Sequence, residues 1–407
     1  MQQRQAEVLQ LSFVEFKKGA YILVDGAENS ERFFIIQSGK VSCSNSLDPG
    51  KNATKILTTG DFVGVIPCMS CHSQIENAIA LTDVKCISVP KGQYPELIAK
   101  NIPVALKIIR TFATRTREMN EQLTQLTLKN VSQDTPEHIF DVAQFYDKTG
   151  RTDIATYAYY RYLKECPKGA HTAFAQKRFV ALKPASKAVY FEPTEELVRR
   201  YPQETMIMSE SQSGSEMFVI QDGQVSISKV VDGNEVILAV LKKGDMFGEM
   251  AILENKPRSA SAIAHQDCVL MVINRSNFNQ MVSSQPQLIA RLTTTLAERL
   301  WSMYRQLGNT CLREPMHKVI DMLALQLEKT RRFSGSFQTD YSVNDIINMC
   351  GIPQQLQPQA YVQIHSEPSI KIVQNKIFVP DCAEIIKAAA FFRKQEATSS
   401  KSQGKPV

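Results

Sequence analysis

The chain has 407 residues, 47 Lys and Arg against 41 Asp and Glu for a formal net charge of +6, and 43% hydrophobic residues. That length predicts roughly two to four domains; the composition excludes a disordered chain, and no apolar run nears the ~20 residues of a membrane span. A charge of +6 spread over this length leaves both a polyanion partner and plain solvation open.

The first residues, MQQRQAEVLQ, lack the basic-then-apolar pattern of a secretory signal. The nine cysteines are scattered and odd in number, which fits reduced thiols better than a disulfide framework. The expectation is a cytoplasmic protein with no membrane partner. Residues 10–94 then read as short alternating strands with turn punctuation. FFIIQSGKVSCS from Phe33 recurs as MFVIQDGQVSIS from Met217, 184 positions later, and at the same offset GDFVG from Gly60 meets GDMFG from Gly244. Two anchors joined without a gap mark an internal duplication. Each copy is predicted as a small antiparallel roll followed by a helix, Leu97 to Leu128 in the first and Leu288 to Leu307 in the second. Within the first copy, Cys68-Met69-Ser70-Cys71-His72 spells C-x-x-C-H. With no second Cys/His pair nearby to complete a zinc site, packed thiols and a redox or metal role both stand, and no metal is expected.

Residues 135–183 change to helical periodicity. Pro136 to Gly169 fit one tetratricopeptide-like helix–turn–helix unit, with Val142, Ala143, Tyr146, Ala155, Tyr159 and Pro167 at packing positions and Gly150 at the turn. A third helix, His171 to Leu182, covers the exposed face. Tyr157, Tyr159, Tyr160 and Tyr162 read as repeat packing, and the unit as a spacer or dimer surface, with partner docking as the alternative.

The second roll runs from Tyr190 to Ile273 and contains GDMFGEMAILENKPRSASAIA from Gly244. A short Gly/Ala-lined turn frees backbone N–H groups toward an anion. Arg258 adds a planar donor fork suited to phosphate oxygens, and Glu249 an acceptor suited to a sugar hydroxyl. FGEMAILENKPRSAS resembles, without a gap, the phosphate-binding cassette of cyclic-nucleotide-binding domains, F-G-E-x-A-x-x-x-x-x-P-R-x-A-S/T. The resemblance implies that Glu249 holds a ribose 2′-hydroxyl and Arg258 the cyclic phosphate. Phe247, Gly248, Met250, Ala251, Pro257, Ser259, Ala260 and Ser261 would line the turn. In the first copy the positions of Glu249, Ala251, Arg258 and Ser259 hold Val65, Pro67, Gln74 and Ile75. Without a charged partner for phosphate, that copy is expected to bind no nucleotide.

Leu288, Leu292, Leu296, Leu300, Met303 and Leu307 form one helical stripe wide enough to seat a second copy in a homodimer through helix 288–307, and packing of the same stripe on its own roll is compatible with that. From Arg258 to Gln326 the chain is similar to the catabolite-activator (Crp/Fnr) family of bacterial transcription factors. By that resemblance purine contacts fall at Met303 and Tyr304; Met303 has no donor and Tyr304 is bulkier than the family's residue, so stacking by Tyr304 or Trp301 replaces them. The family ends in a winged helix-turn-helix. Here Arg313 to Lys329 would be its support helix, Ser342 to Cys350 its first helix, Pro353 to Ile364 its recognition helix and Ile370 to Val379 its wing. Gln354, Gln355 and Gln359 stand at the base-reading positions, with Lys371 and Lys376 flanking for phosphates. Pro358 is expected inside the recognition helix at a cost of ~3 kcal/mol. Gly351 to Ser369 holds no Lys or Arg, so DNA contact and a repurposed, non-DNA domain both remain open.

The expected fold is a multidomain α+β chain: two antiparallel β-rolls (jelly rolls) of cyclic-nucleotide-binding type, a helical spacer and a C-terminal winged-helix-like domain. The boundaries are 1–130, 131–188, 189–310 and 311–392, with a disordered tail at 393–407. The expected function is a cyclic-nucleotide receptor of the Crp/Fnr type, for cAMP by overall resemblance or for cGMP through Ser259. It would act as a ligand-responsive transcription regulator, with DNA as a partner. The alternative is a scaffold using rolls and repeat for protein interaction. No phosphate loop, nucleophile elbow or paired catalytic carboxylates are found, so no enzyme is expected.

Overall fold

The computed structural model describes residues 11–28, 31–44, 54–128, 135–192, 194–231 and 233–403. In the first roll, strands Ser12–Phe16, Val84–Pro90, Arg32–Ser38 and Phe62–Val63 form one antiparallel sheet in that order. Tyr21–Leu23, Asn77–Ala80, Val41–Ser44 and Thr54–Leu57 form the other. The second roll repeats the order with Val198–Tyr201, Cys268–Asn274, Glu216–Asp222 and Met246–Phe247, facing Met206–Met208, Ser261–Ala264, Gln224–Val231 and Asn234–Lys242. The register repeats as well: Phe33 pairs with Val89 and Met217 with Ile273, and bulges fall at Ile36/Ser38 and Ile220/Asp222. Duplicated alternation produces duplicated pairing, because a one-residue slip would turn every buried side chain to the wrong face. Gly39 and Gly223 sit at the same bend with positive φ, each where a Cβ would strike the carbonyl of Asp83 or Asp267.

The chain groups into two compact units. One holds Met1–Leu97, Glu118–Asn130 and Leu296–Val407; the other holds Ile98–Arg117 and Val131–Thr295. The long helices Ile102–Leu128 and Pro286–Thr310 therefore each contribute to both units.

In the second unit, helices His138–Lys148, Thr152–Glu165 and Thr172–Leu182 follow one another in space. Gly150 turns the first into the second at φ +75°. Ile139, Val142, Ala143, Tyr146, Ala155, Tyr159 and Tyr162 form their core, which continues onto Met206, Val230 and Ile263 of the second roll. The buried tyrosines keep hydroxyl partners, Tyr159 to Asp147 at 2.9 Å and Tyr162 to Glu137 at 2.8 Å, as burial of a polar tip requires.

The other unit ends in helix Pro315–Lys329, the three-stranded antiparallel sheet Phe337–Ser342, Lys376–Val379 and Lys371–Val373, helices Val343–Met349 and Gln357–Ser366, and helix Cys382–Gln403. Ser342 and Asp345 form a reciprocal capping box that starts Val343–Met349. Two expectations are corrected. The helix over Pro353–Ile364 is a 3₁₀ turn Gln354–Leu356 followed by an α-helix from Gln357, so Pro358 lies in the first helical turn, where a missing N–H costs nothing. The tail expected to be disordered is helical to Gln403, and residues 404–407 lie outside the described residues. Ala388 to Ala390 favour the helix, and tertiary ion pairs hold it, Arg393 to Asp321 at 2.5 Å and Glu396 to Arg313 at 2.9 Å. Leu292, Leu296, Leu300 and Leu307 are each at most 1% exposed in the single chain. Leu288 and Met303 of the same stripe are half-buried.

Candidate functional site

The cassette is built by two left-handed residues that bracket one short helix. Gly248 (φ +78°) leads into Glu249–Glu254 and Asn255 (φ +57°) ends it. Phe247, Glu249, Met250, Ala251, Arg258, Ala260 and Ser261 are buried, and Pro257 and Ser259 half-buried. Ser259 Oγ lies 3.7 Å from Met250 Sδ. Arg117, also buried, donates to Pro257 O at 3.1 Å.

Arg258 is 5% exposed. Its Nη1 donates to Gly248 O at 2.6 Å and its Nη2 to Glu216 O at 2.6 Å, while Nε has no partner among the described residues. No carboxylate lies within ion-pair distance among those residues, and burial pushes the guanidinium down to about 10, against the favourable charges of Tyr157, Glu216 and Glu249. Two glycines make room for it. A Cβ on Gly248 would stand 2.7 Å from Nη1, and one on Gly214 would collide with Nε. A buried cation held by neutral carbonyls is poorly compensated, and an anion would relieve it.

The first copy keeps the same frame without the charges. Gly64 (φ +75°), helix Val65–Ser70 and Cys71 (φ +55°) reproduce the bracket, and Gln74 is buried at the arginine's place. Both copies also pin that position with two backbone bonds, Gly26 N and Gln74 N crossing to Gln74 O and Ala27 O, and Ser211 N and Arg258 N crossing to Arg258 O and Gln212 O. The frame therefore persists for packing where the ligand chemistry has gone.

Within the first copy's unit, Trp301 stacks on His72 at 3.8 Å and donates from Nε1 to Ser73 O at 3.1 Å. Tyr304 is buried and Met303 half-buried in the same unit. Burial raises the Cys68 thiol to about 12, and exposed Cys71 has Lys91 Nζ at 2.6 Å from its sulfur. Among the described residues no group of three or more His, Cys, Asp or Glu could hold a metal ion. At the other end, Gln355, Gln359 and Lys371 are exposed and Lys376 half-buried; the side chain of Gln354 lies outside the described residues. Tyr361 and Val362 are exposed beside them, at 40% and 67%. Sequence reasoning missed Tyr157, Gln212, Gly214 and the Glu216 carbonyl. The glycine is the one with a readable signal, a small residue in the turn SQSGSE before a strand.

Residues 13–101 and 198–285 match the cyclic nucleotide-binding domain family, one match per roll. A cyclic AMP receptor protein of Thermus thermophilus is 33% identical over 103 residues, covering 25% of this chain and 48% of that protein. A cAMP-activated global transcriptional regulator of Pasteurella multocida is 30% identical over 114 residues, covering 28% and 54%. The chain thus spans about half the length of these curated relatives. A solved structure described as cAMP-bound PfPKA-R (141-441) is 18% identical over 74% of this chain and 80% of its own, with a TM-score of 0.23. The chain carries two domains of cyclic nucleotide-binding type, and its resemblance to the Crp/Fnr proteins is supported.

Proposed function

We propose that this chain is a cyclic-nucleotide receptor whose second roll binds ligand and whose first roll is structural. One observation carries the reading: the Arg258 guanidinium is buried in a glycine cradle with an unpartnered Nε and no carboxylate within ion-pair distance among the described residues. A cyclic phosphate supplies the missing charge and acceptor oxygens. Glu249, buried at the start of the cassette helix, takes the ribose 2′-hydroxyl. Phe247, Gly248, Met250, Ala251, Pro257, Ser259, Ala260 and Ser261 form the wall. The relatives' names favour cAMP; Ser259 keeps cGMP as the second candidate. Trp301, Met303 and Tyr304 lie on the helix that follows and take the signal onward by population shift.

The output is a winged-helix-like domain, with Gln357–Ser366 in the recognition position and Lys371–Val373 and Lys376–Val379 as the wing. DNA is the partner that the Crp/Fnr resemblance favours. A second reading, a protein-docking scaffold, is favoured by exposed Tyr361 and Val362 in a stretch without Lys or Arg from Gly351 to Ser369.

Thermal melts with cAMP, cGMP and AMP test the receptor. A cyclic nucleotide at a hundred times Kd should stabilise by about 2.7 kcal/mol and AMP should not. Arg258→Ala should abolish the rise, and Gln74→Ala should leave it intact. A wild-type melt indifferent to every nucleotide sinks the receptor. Salt-dependent gel shifts on genomic fragments, with and without ligand, separate the DNA output from the scaffold.

A further inference from the structure

The loop between strands Met206–Met208 and Glu216–Asp222 is held from two sides. From the cassette, Ser211 N donates to Arg258 O and Arg258 N to Gln212 O, both at 2.8 Å, and Glu210 N donates to Ser261 Oγ at 3.0 Å. From the helical spacer, His138 Nε2 lies 3.4 Å from a Glu210 carboxylate oxygen. Glu165 Oε1 accepts from Ser213 N at 3.2 Å and from Ser213 Oγ at 2.7 Å. The next residue, Gly214, leaves its side-chain space to the Arg258 guanidinium. Ser211 is 2% and Gln212 5% exposed, so this is a packed joint and not a surface contact.

We infer that Glu165 is a positioning residue for the Arg258 anion site, and that the helical spacer reads the occupancy of that site through residues 209–214. This rests on the receptor reading above. A bound phosphate gives Arg258 a new set of acceptors, and any adjustment of its backbone is passed to Ser211 and Gln212 by two short bonds. Glu165 then carries it, through Ser213, to helix Thr152–Glu165. A close-packed joint transmits such shifts because it has no slack to absorb them.

The experiment uses the full chain and titrates cAMP and cGMP calorimetrically into wild type, Glu165→Gln, Ser213→Ala and Arg258→Ala. Hydrogen exchange of residues 152–165 is followed with and without nucleotide. Nucleotide should slow exchange there in wild type. Glu165→Gln keeps the side chain's size and removes the charge from the two bonds to Ser213, so it should weaken binding about three- to tenfold and remove the nucleotide-dependent protection. Ser213→Ala should act in the same direction and serves if the first variant folds poorly. Wild type that binds with unchanged exchange at 152–165, or variants that bind as wild type does, overturns the inference and leaves the receptor standing. Wild type that binds neither nucleotide removes both.

Discussion

Two histidines give the two units opposite responses to pH. Burial pulls His138 down, but the hydrogen bond and charge of Glu210, together with Asp141, hold it above its ordinary 6.5. A raised value contributes stability that is fully present below 6.5 and is lost as pH climbs through the folded-state value. His72 is pushed down to about 4, first by burial and then by Arg331, Arg305 and Lys91. The folded state holds it neutral, so as pH falls from 6.5 toward 4 protons bind the unfolded chain preferentially and stability drops. Urea titrations across pH 5 to 8 should show His138→Gln flattening the alkaline decline and His72→Phe the acid one. A variant with an unaltered slope refutes the assignment for that residue. Of the site itself, Glu249 and Arg258 were legible because their spacing and neighbours are local. Gly214 and Glu165 were not, being 44 and 93 positions from Arg258 and joined to it only by folding.

Among the elements, the cassette shows how a frame outlives its chemistry. Both copies need a left-handed glycine, one turn of helix and a left-handed exit to close the roll, so Gly64 and Cys71 persist although Val65 and Gln74 have replaced the ligand groups. A different element joint holds the C-terminal end. Asp321, fully buried, accepts from Arg393 Nη1 at 2.5 Å, Asn309 Nδ2 at 3.1 Å and Arg305 Nη2 at 3.4 Å, while Arg305 Nε reaches Glu328 at 3.0 Å. This network ties helices Pro286–Thr310, Pro315–Lys329 and Cys382–Gln403 together. Asp321→Asn leaves two guanidinium groups short of their shared charge and should cost about 3–5 kcal/mol in denaturant unfolding. A loss below about 1 kcal/mol, the value of a surface pair, would show that the network is solvated. Pro358 is the corresponding lesson for reading helices, since its damage depends on whether it falls in the first turn or beyond it, and helix ends are the part of a sequence least legible.

At the scale of the whole molecule, helix Pro286–Thr310 links the units by chain continuity: it belongs to the unit of the second roll up to Thr295 and to the other from Leu296. Trp301, the single tryptophan, lies on the second half and stacks on His72. If that helix carries the signal, saturating nucleotide should change the Trp301 emission, and Arg258→Ala should remove the change. Bound nucleotide with a silent Trp301 would place the signal in another element, the helical spacer first. The sequence by itself determined the duplication, the loss of charge in one copy and the chemistry offered by Glu249 and Arg258, because strand alternation and a fifteen-residue cassette are short-range patterns. Tertiary structure decided what surrounds them. The tail is drawn into a helix by Asp321, and a glutamate from the spacer bonds the loop beside Arg258. Those outcomes depend on burial and on pairing between residues distant in sequence, and no local pattern encodes which distant group arrives.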